Sequence, residues 1–223
     1  KDKDDNYFLA GSLLLPAKIP IIESKVKIDK YIEMEDKIGI RYDSTMGWIK
    51  NVNEDYYNHI TKNSDNTLKI LILGDSFSLS AGAIDSLSWE KIIKENLKNL
   101  GIDSKIFNLA TPGYGLDQAY IRWQKQGKYY NPDIVIIGIT DGMIKNNLNL
   151  IRPIKTIRTG IPFSKPRFII DDSDTLSLIN YPTIAINKII KIMSDLKNWQ
   201  LLEFEYFYSD ERYSNNIFYN FKI

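Results

Sequence analysis

The chain has 223 residues, 43% of them hydrophobic and 26% charged, with 29 Lys and Arg against 28 Asp and Glu for a net charge of +1; this is a globular composition, sized for one domain or one domain with an appended segment. The near-neutral balance supplies no electrostatic reason to expect nucleic acid or an anionic membrane as partner. No apolar run approaches the roughly 18 residues needed to span a bilayer, and the absence of cysteine excludes disulfides, thiolate metal sites and a Cys nucleophile.

In chain order, Lys1-Asp2-Lys3-Asp4-Asp5 reads as a solvated tail, and a start at Lys1 without Met points to a segment removed upstream. Residues 8–22 form an apolar stretch broken by Pro16 and Pro20. Arg41 to Trp48 sets aromatics beside a Gly turn, and residues 61–67 are a polar loop. Residues 1–65 are expected to pack, as an N-terminal segment, on an α/β domain spanning 66–223.

From residue 68 the pattern changes. Lys69-Ile70-Leu71-Ile72-Leu73 is a continuous apolar run ending at Gly74, which suits a strand buried on both faces of a parallel sheet. Trp89, Ile92, Ile93, Leu97 and Leu100 then recur at helical spacing, with Ser86 or Ser88 as cap and Gly101 as stop. A second strand is expected at 104–110 and a second helix at 116–130, with Leu116, Tyr120, Trp123 and Gly127 in phase. Asn131-Pro132-Asp133 opens a third strand, 134–139. Residues 142–182 read as irregular, 183–196 as a helix, and 199–223 holds nine aromatics.

The β-α-β-α-β order predicts a parallel sheet with helices on both faces, and ligands bind such sheets beyond the carboxyl ends of the strands. Three polar, glycine-bearing loops converge there: Gly74-Asp75-Ser76, Asn108 to Gly115, and Thr140-Asp141. A Ser just past a buried strand can attack a carbonyl, and its own N–H can hold the resulting oxyanion. The alternative is a turn whose Ser merely caps the following helix. Gly113 can bring a bare N–H to the same edge; alone, it is equally a Pro-Gly turn.

These residues resemble the SGNH/GDSL hydrolase superfamily, over about residues 40–182. The first block corresponds to Leu73-Gly74-Asp75-Ser76-Phe77-Ser78 and the second to Asn108 through Gly113. Pro132-Asp133-Ile134-Val135-Ile136-Ile137-Gly138 leads into the third. Within the superfamily the chain looks most like a long-chain bacterial branch, with a Gly-Trp segment before the first block and Lys165-Pro166-Arg167-Phe168 after the third. The resemblance implies a flavodoxin-like three-layer α/β/α fold and hydrolysis or transfer of an acyl ester, by analogy an acetyl ester of a carbohydrate, outside the cytoplasm. Ser76 would be the nucleophile and the N–H groups of Ser76 and Gly113 the oxyanion donors, with Asp75, Asn108 and Asp141 supporting the site. No metal or organic cofactor would be needed.

Two departures stand out. The third block reads Gly138-Ile139-Thr140-Asp141-Gly142-Met143 where the family has Asn-Asp. The family's Asn side chain is a third oxyanion donor; if Asp141 matches the Asp, Thr140 occupies the Asn position and would donate to the oxyanion through its hydroxyl, with shorter reach. A shifted alignment puts Gly142 or Met143 there, and Asn146 or Asn147 could substitute. Also, the Asp-x-x-His that would carry the base is missing. The single His, His59, lies before the first strand and reads as a surface or packing residue. Two explanations stay open: a C-terminal part with further strands and the His lies beyond Ile223 or on another chain, or the fold is a catalytically impaired module that binds glycan or a protein partner. The aromatic segment 199–223 is expected to be core for the missing strands, and otherwise to cover a partner or a sugar ring. A phosphate at the Ser76-to-Ser80 turn is a third, weaker reading, without a P-loop motif.

Overall fold

A computed structural model describes residues 7–10, 13–16, 39–50, 66–81, 83, 87–156 and 161–208. His59, Tyr213, Phe218, Tyr219 and Phe221 lie outside the described residues. Near the start, β1 (Tyr7–Ala10) and β2 (Leu13–Pro16) form a two-stranded sheet. β3 (Ile40–Asp43) and β4 (Gly47–Lys50) form another. The chain divides into two compact units, one holding residues 50–146 with 10–13, the other 1–9, 14–49 and 147–223.

The 50–146 unit is a mixed α/β structure around a three-stranded parallel sheet. Its strands are β5 (Leu68–Leu73), β6 (Ser104–Asn108) and β7 (Ile134–Ile137), in the order β6-β5-β7. Ile72 pairs with Asn108 and with Ile136, so all three carboxyl ends lie at one edge. On the central strand, Ile70, Leu71, Ile72 and Leu73 are buried, each worth roughly 1.5–3 kcal/mol against exposure. Phe107 of β6 packs on Tyr130, ring centroids 4.7 Å apart.

The helices of this unit are α1 (Trp89–Asn99), α2 (Leu116–Lys125) and α3 (Asp141–Asn146), with a 3-10 turn at Gly127–Tyr130. α1 starts after Ser88 and stops at Gly101, whose φ of +76° suits glycine. The two crossovers run in opposite directions from their strands, so the right-handed rule puts α1 and α2 on opposite sheet faces.

Several sequence expectations need correction here. The second strand ends at Asn108 and the third at Ile137. The second helix ends at Lys125 and tightens into the 3-10 turn. Its phase is also different: Tyr120 is exposed, and the buried residues are Asp117, Gln118, Ala119, Ile121 and Arg122. Apolar periodicity misses that face because hydrogen bonds, not hydrophobicity, satisfy its polar members. Among the described residues no helix follows Ser76 directly; residues 75–81 coil through turns closed by Leu79 N–H to Asp75 O at 3.1 Å and Ala81 N–H to Ser76 O at 3.0 Å.

The other unit is built differently. Asp43 closes the β3–β4 turn by accepting from the N–H groups of Thr45 and Met46 and from the Thr45 hydroxyl. Burial raises its pKa, but these bonds and Arg41 outweigh that and leave it below the usual value. Gly47 has φ +84°, and a Cβ there would meet Ser164 O at 2.3 Å. The stretch read as irregular contains α4 (Arg152–Lys155) and an antiparallel hairpin of β8 (Arg167–Ile170) and β9 (Leu176–Ile179). Asp171 ties the hairpin loop to Ser173, Thr175 and Ser177. α5 (Ile186–Ser194) packs Ile189 and Met193 against Ile151, Ile154 and Leu196, and Trp199, Leu202, Phe207 and Tyr208 pack onto this cluster. The described aromatics of the last segment are thus partly core, while Tyr206 is exposed.

Candidate functional site

The register of the parallel sheet brings the three sequence blocks to one edge. Beyond Leu73 come Gly74, Asp75 and Ser76; beyond Asn108 comes the Thr111–Gly115 loop; beyond Ile137 come Gly138 to Asp141. Backbone bonds knit them together. Leu109 N–H donates to Ile72 O, Thr111 N–H to Gly74 O and Gly138 N–H to Leu73 O, at 2.9–3.0 Å.

Ser76 is half-buried. Among the described residues nothing hydrogen-bonds its hydroxyl, and its N–H has no acceptor. The turn is shaped by Asp75, a buried residue whose carboxylate accepts from Phe77 N–H at 2.9 Å and from the Thr140 hydroxyl at 2.7 Å. Ser78 is buried between two glycines: a Cβ on either Gly74 or Gly138 would stand 2.1 Å from its Oγ.

The second loop is a type II turn. Tyr114 N–H donates to Thr111 O at 3.2 Å, Pro112 occupies the first corner and Gly113, at φ +77°, the second. Only glycine takes that angle without strain. Among the described residues Gly113 N–H has no acceptor. Asn146 Nδ2 holds the turn from α3, donating to Gly113 O at 3.0 Å and Tyr114 O at 2.9 Å.

The third block is committed to structure. Thr140 gives its hydroxyl proton to Asp75 and accepts Met143 N–H at 3.1 Å, so it caps α3. Asn146 is occupied by the second loop. Asp141 is exposed at the start of α3, and its side chain makes no hydrogen bond among the described residues. Asn108 is drawn away from Ser76: its Nδ2 donates to Ser78 O at 3.0 Å and Glu90 Oε1 at 3.3 Å, and its Oδ1 accepts Ala110 N–H.

No protein-family model, curated protein or solved structure matches the chain.

Several participants escaped the sequence reading. Glu90 accepts from the Ser80 hydroxyl at 2.7 Å and from Asn108, bracing the Ser76 turn from α1. It sits among solvated charges of a helix face, and only the fold marks it out. Lys50 lies within range of Glu90 and Arg122. Burial lowers its pKa, Glu90 opposes that shift and Arg122 adds to it. Among the described residues, no group of three or more His, Asp or Glu could hold a metal ion, and no helix is long and apolar enough to cross a membrane.

Proposed function

We propose that the chain carries the nucleophile edge of a serine esterase or O-acyltransferase of the SGNH/GDSL type, on a flavodoxin-like α/β/α domain. One observation carries the reading. At the carboxyl end of the central strand, a half-buried Ser76 hydroxyl without a hydrogen-bond partner among the described residues shares a sheet edge with two backbone N–H groups, of Ser76 and Gly113, that lack acceptors there. An acyl-transfer site needs that combination.

In the proposed reaction, Ser76 Oγ attacks the acyl carbonyl carbon while a base takes its proton. The carbonyl oxygen becomes an oxyanion held by the Ser76 and Gly113 N–H groups. Collapse breaks the bond to the alkoxy oxygen, which takes from the base the proton that Ser76 gave up and leaves as the alcohol. The acyl-enzyme then passes its acyl group to water or to a second hydroxyl. Removing one oxyanion donor costs about 10²–10³ in turnover in a known protease, so this site depends on Gly113 staying in place. These 223 residues hold no Asp-x-x-His, so the proposed reaction takes its base from a segment or chain outside them, as the resemblance implies. The substrate class, an acylated carbohydrate met outside the cytoplasm, rests on the same analogy.

The test is turnover of short-chain p-nitrophenyl esters. We expect Ser76→Ala to abolish it with the fold retained; equal turnover by the variant would overturn the assignment. A second reading, a binding module without catalysis, is favoured by the third block, where Thr140 and Asn146 both spend their protons on the scaffold. It predicts no turnover above background, together with saturable binding of an acylated oligosaccharide.

A further inference from the structure

Arg122 is fully buried on α2, yet among the described residues none of its hydrogen bonds goes to a carboxylate. Nη1 donates to the Thr111 hydroxyl, Nη2 to the Lys50 carbonyl at 2.9 Å and Nε to the Gln126 side-chain oxygen at 3.1 Å. A guanidinium remains charged, and taking it out of water is costly. An apolar side chain of similar volume fills such a space without that cost. A packing role therefore does not account for arginine here, whereas its fork of donors does.

One arm of the fork, Nη1, reaches Thr111, where the bonds of the site meet. The Thr111 hydroxyl also accepts Lys50 N–H at 3.4 Å and donates to Leu109 O at 3.3 Å. Its own N–H donates to Gly74 O at 3.0 Å, which docks the loop on the Ser76 turn, and its carbonyl accepts Tyr114 N–H at 3.2 Å, which closes the turn carrying Gly113. Asn146 holds the far side of that turn. We infer that Arg122 is a positioning residue: by fixing Thr111 it sets the Gly113 N–H relative to Ser76. This rests on the acyl-transfer reading above.

The experiment compares Arg122→Met, Thr111→Val and Thr111→Ser with the unaltered protein. It reads amide hydrogen exchange along the chain and the rate at which a fluorophosphonate modifies Ser76. We expect Arg122→Met and Thr111→Val to speed exchange at Tyr114 about tenfold or more while Leu71 and Ile72 stay protected. The maximal modification rate should fall about tenfold with the half-saturating probe concentration unchanged, the pattern of a lost transition-state interaction. Thr111→Ser, which keeps the hydroxyl, should restore both. Unchanged Tyr114 exchange, equal impairment in Thr111→Ser, or matching loss of protection at Leu71 and Ile72 would each overturn the inference. If the unaltered protein is not modified, the acyl-transfer reading fails, and the exchange data still decide whether Arg122 positions the loop.

Discussion

Two glycines and one serine determine how closely the first and third blocks approach. Gly74 and Gly138 leave room for the same Ser78 Oγ, 2.1 Å from where either Cβ would stand. Gly138→Ala should therefore destabilise the protein by about 1–3 kcal/mol through overpacking. Adding Ser78→Ala should recover most of that, because the nearest remaining side-chain atom, Ser78 Cβ, is 3.3 Å away. A double-mutant cycle in urea measures the coupling. Thr140 offers a sharper distinction. If its hydroxyl serves Asp75 and the α3 cap, Thr140→Val leaves a buried carboxylate oxygen and Met143 N–H without these partners. It should then cost about 1–3 kcal/mol, while Thr140→Ser stays near neutral in the same unfolding assay.

Among the elements, the aromatic segment after α5 is held by one buried carboxylate. Glu205 accepts from Leu150 N–H at 2.7 Å, Ile151 N–H at 3.0 Å, Asn149 Nδ2 at 3.0 Å and Phe207 N–H at 3.2 Å. Burial pushes its pKa above 4.5, and the hydrogen bonds only partly offset this. Below about pH 4.5 the carboxyl is protonated in both folded and unfolded chains. As pH rises the unfolded chain ionises first and the buried group is penalised, so this contribution to stability falls with rising pH through the raised pKa. Thermal unfolding between pH 4 and pH 8, values spanning the ordinary and raised range, should show that slope, and Glu205→Gln should flatten it. Little of this was legible. The pattern at 199–208 announced apolar packing, which the structure bears out for Trp199, Phe207 and Tyr208. Glu205, one of two Glu among these aromatics, carries no sign in the sequence that four donors await it. The hairpin β8–β9 was missed for a related reason: the prolines around it suggested disorder of the pattern, while Asp171 organised the turn through its own side chain.

At the scale of the whole molecule, the alternation of strands and helices over 68–137 was legible, because buried parallel strands leave unbroken apolar runs. The convergence of the three blocks followed from it. What periodicity could not show was the partnering of polar groups: Arg122 on Thr111, Thr140 on Asp75, Asn146 on Gly113. The sheet itself is asymmetric. β7 lies at its edge, and Ile134, Val135 and Ile137 are exposed. An uncharged apolar edge strand invites pairing with other chains. Concentration-dependent association is therefore expected in sedimentation, and Val135→Lys should suppress it without lowering the melting temperature. The central claim, however, concerns Ser76, and covalent modification tests it most directly. The folded protein is treated with a fluorophosphonate and the adduct located by peptide mass spectrometry. The account predicts a single adduct on Ser76, absent in Ser76→Ala; no adduct on the folded protein, or an equal one in the variant, would contradict it.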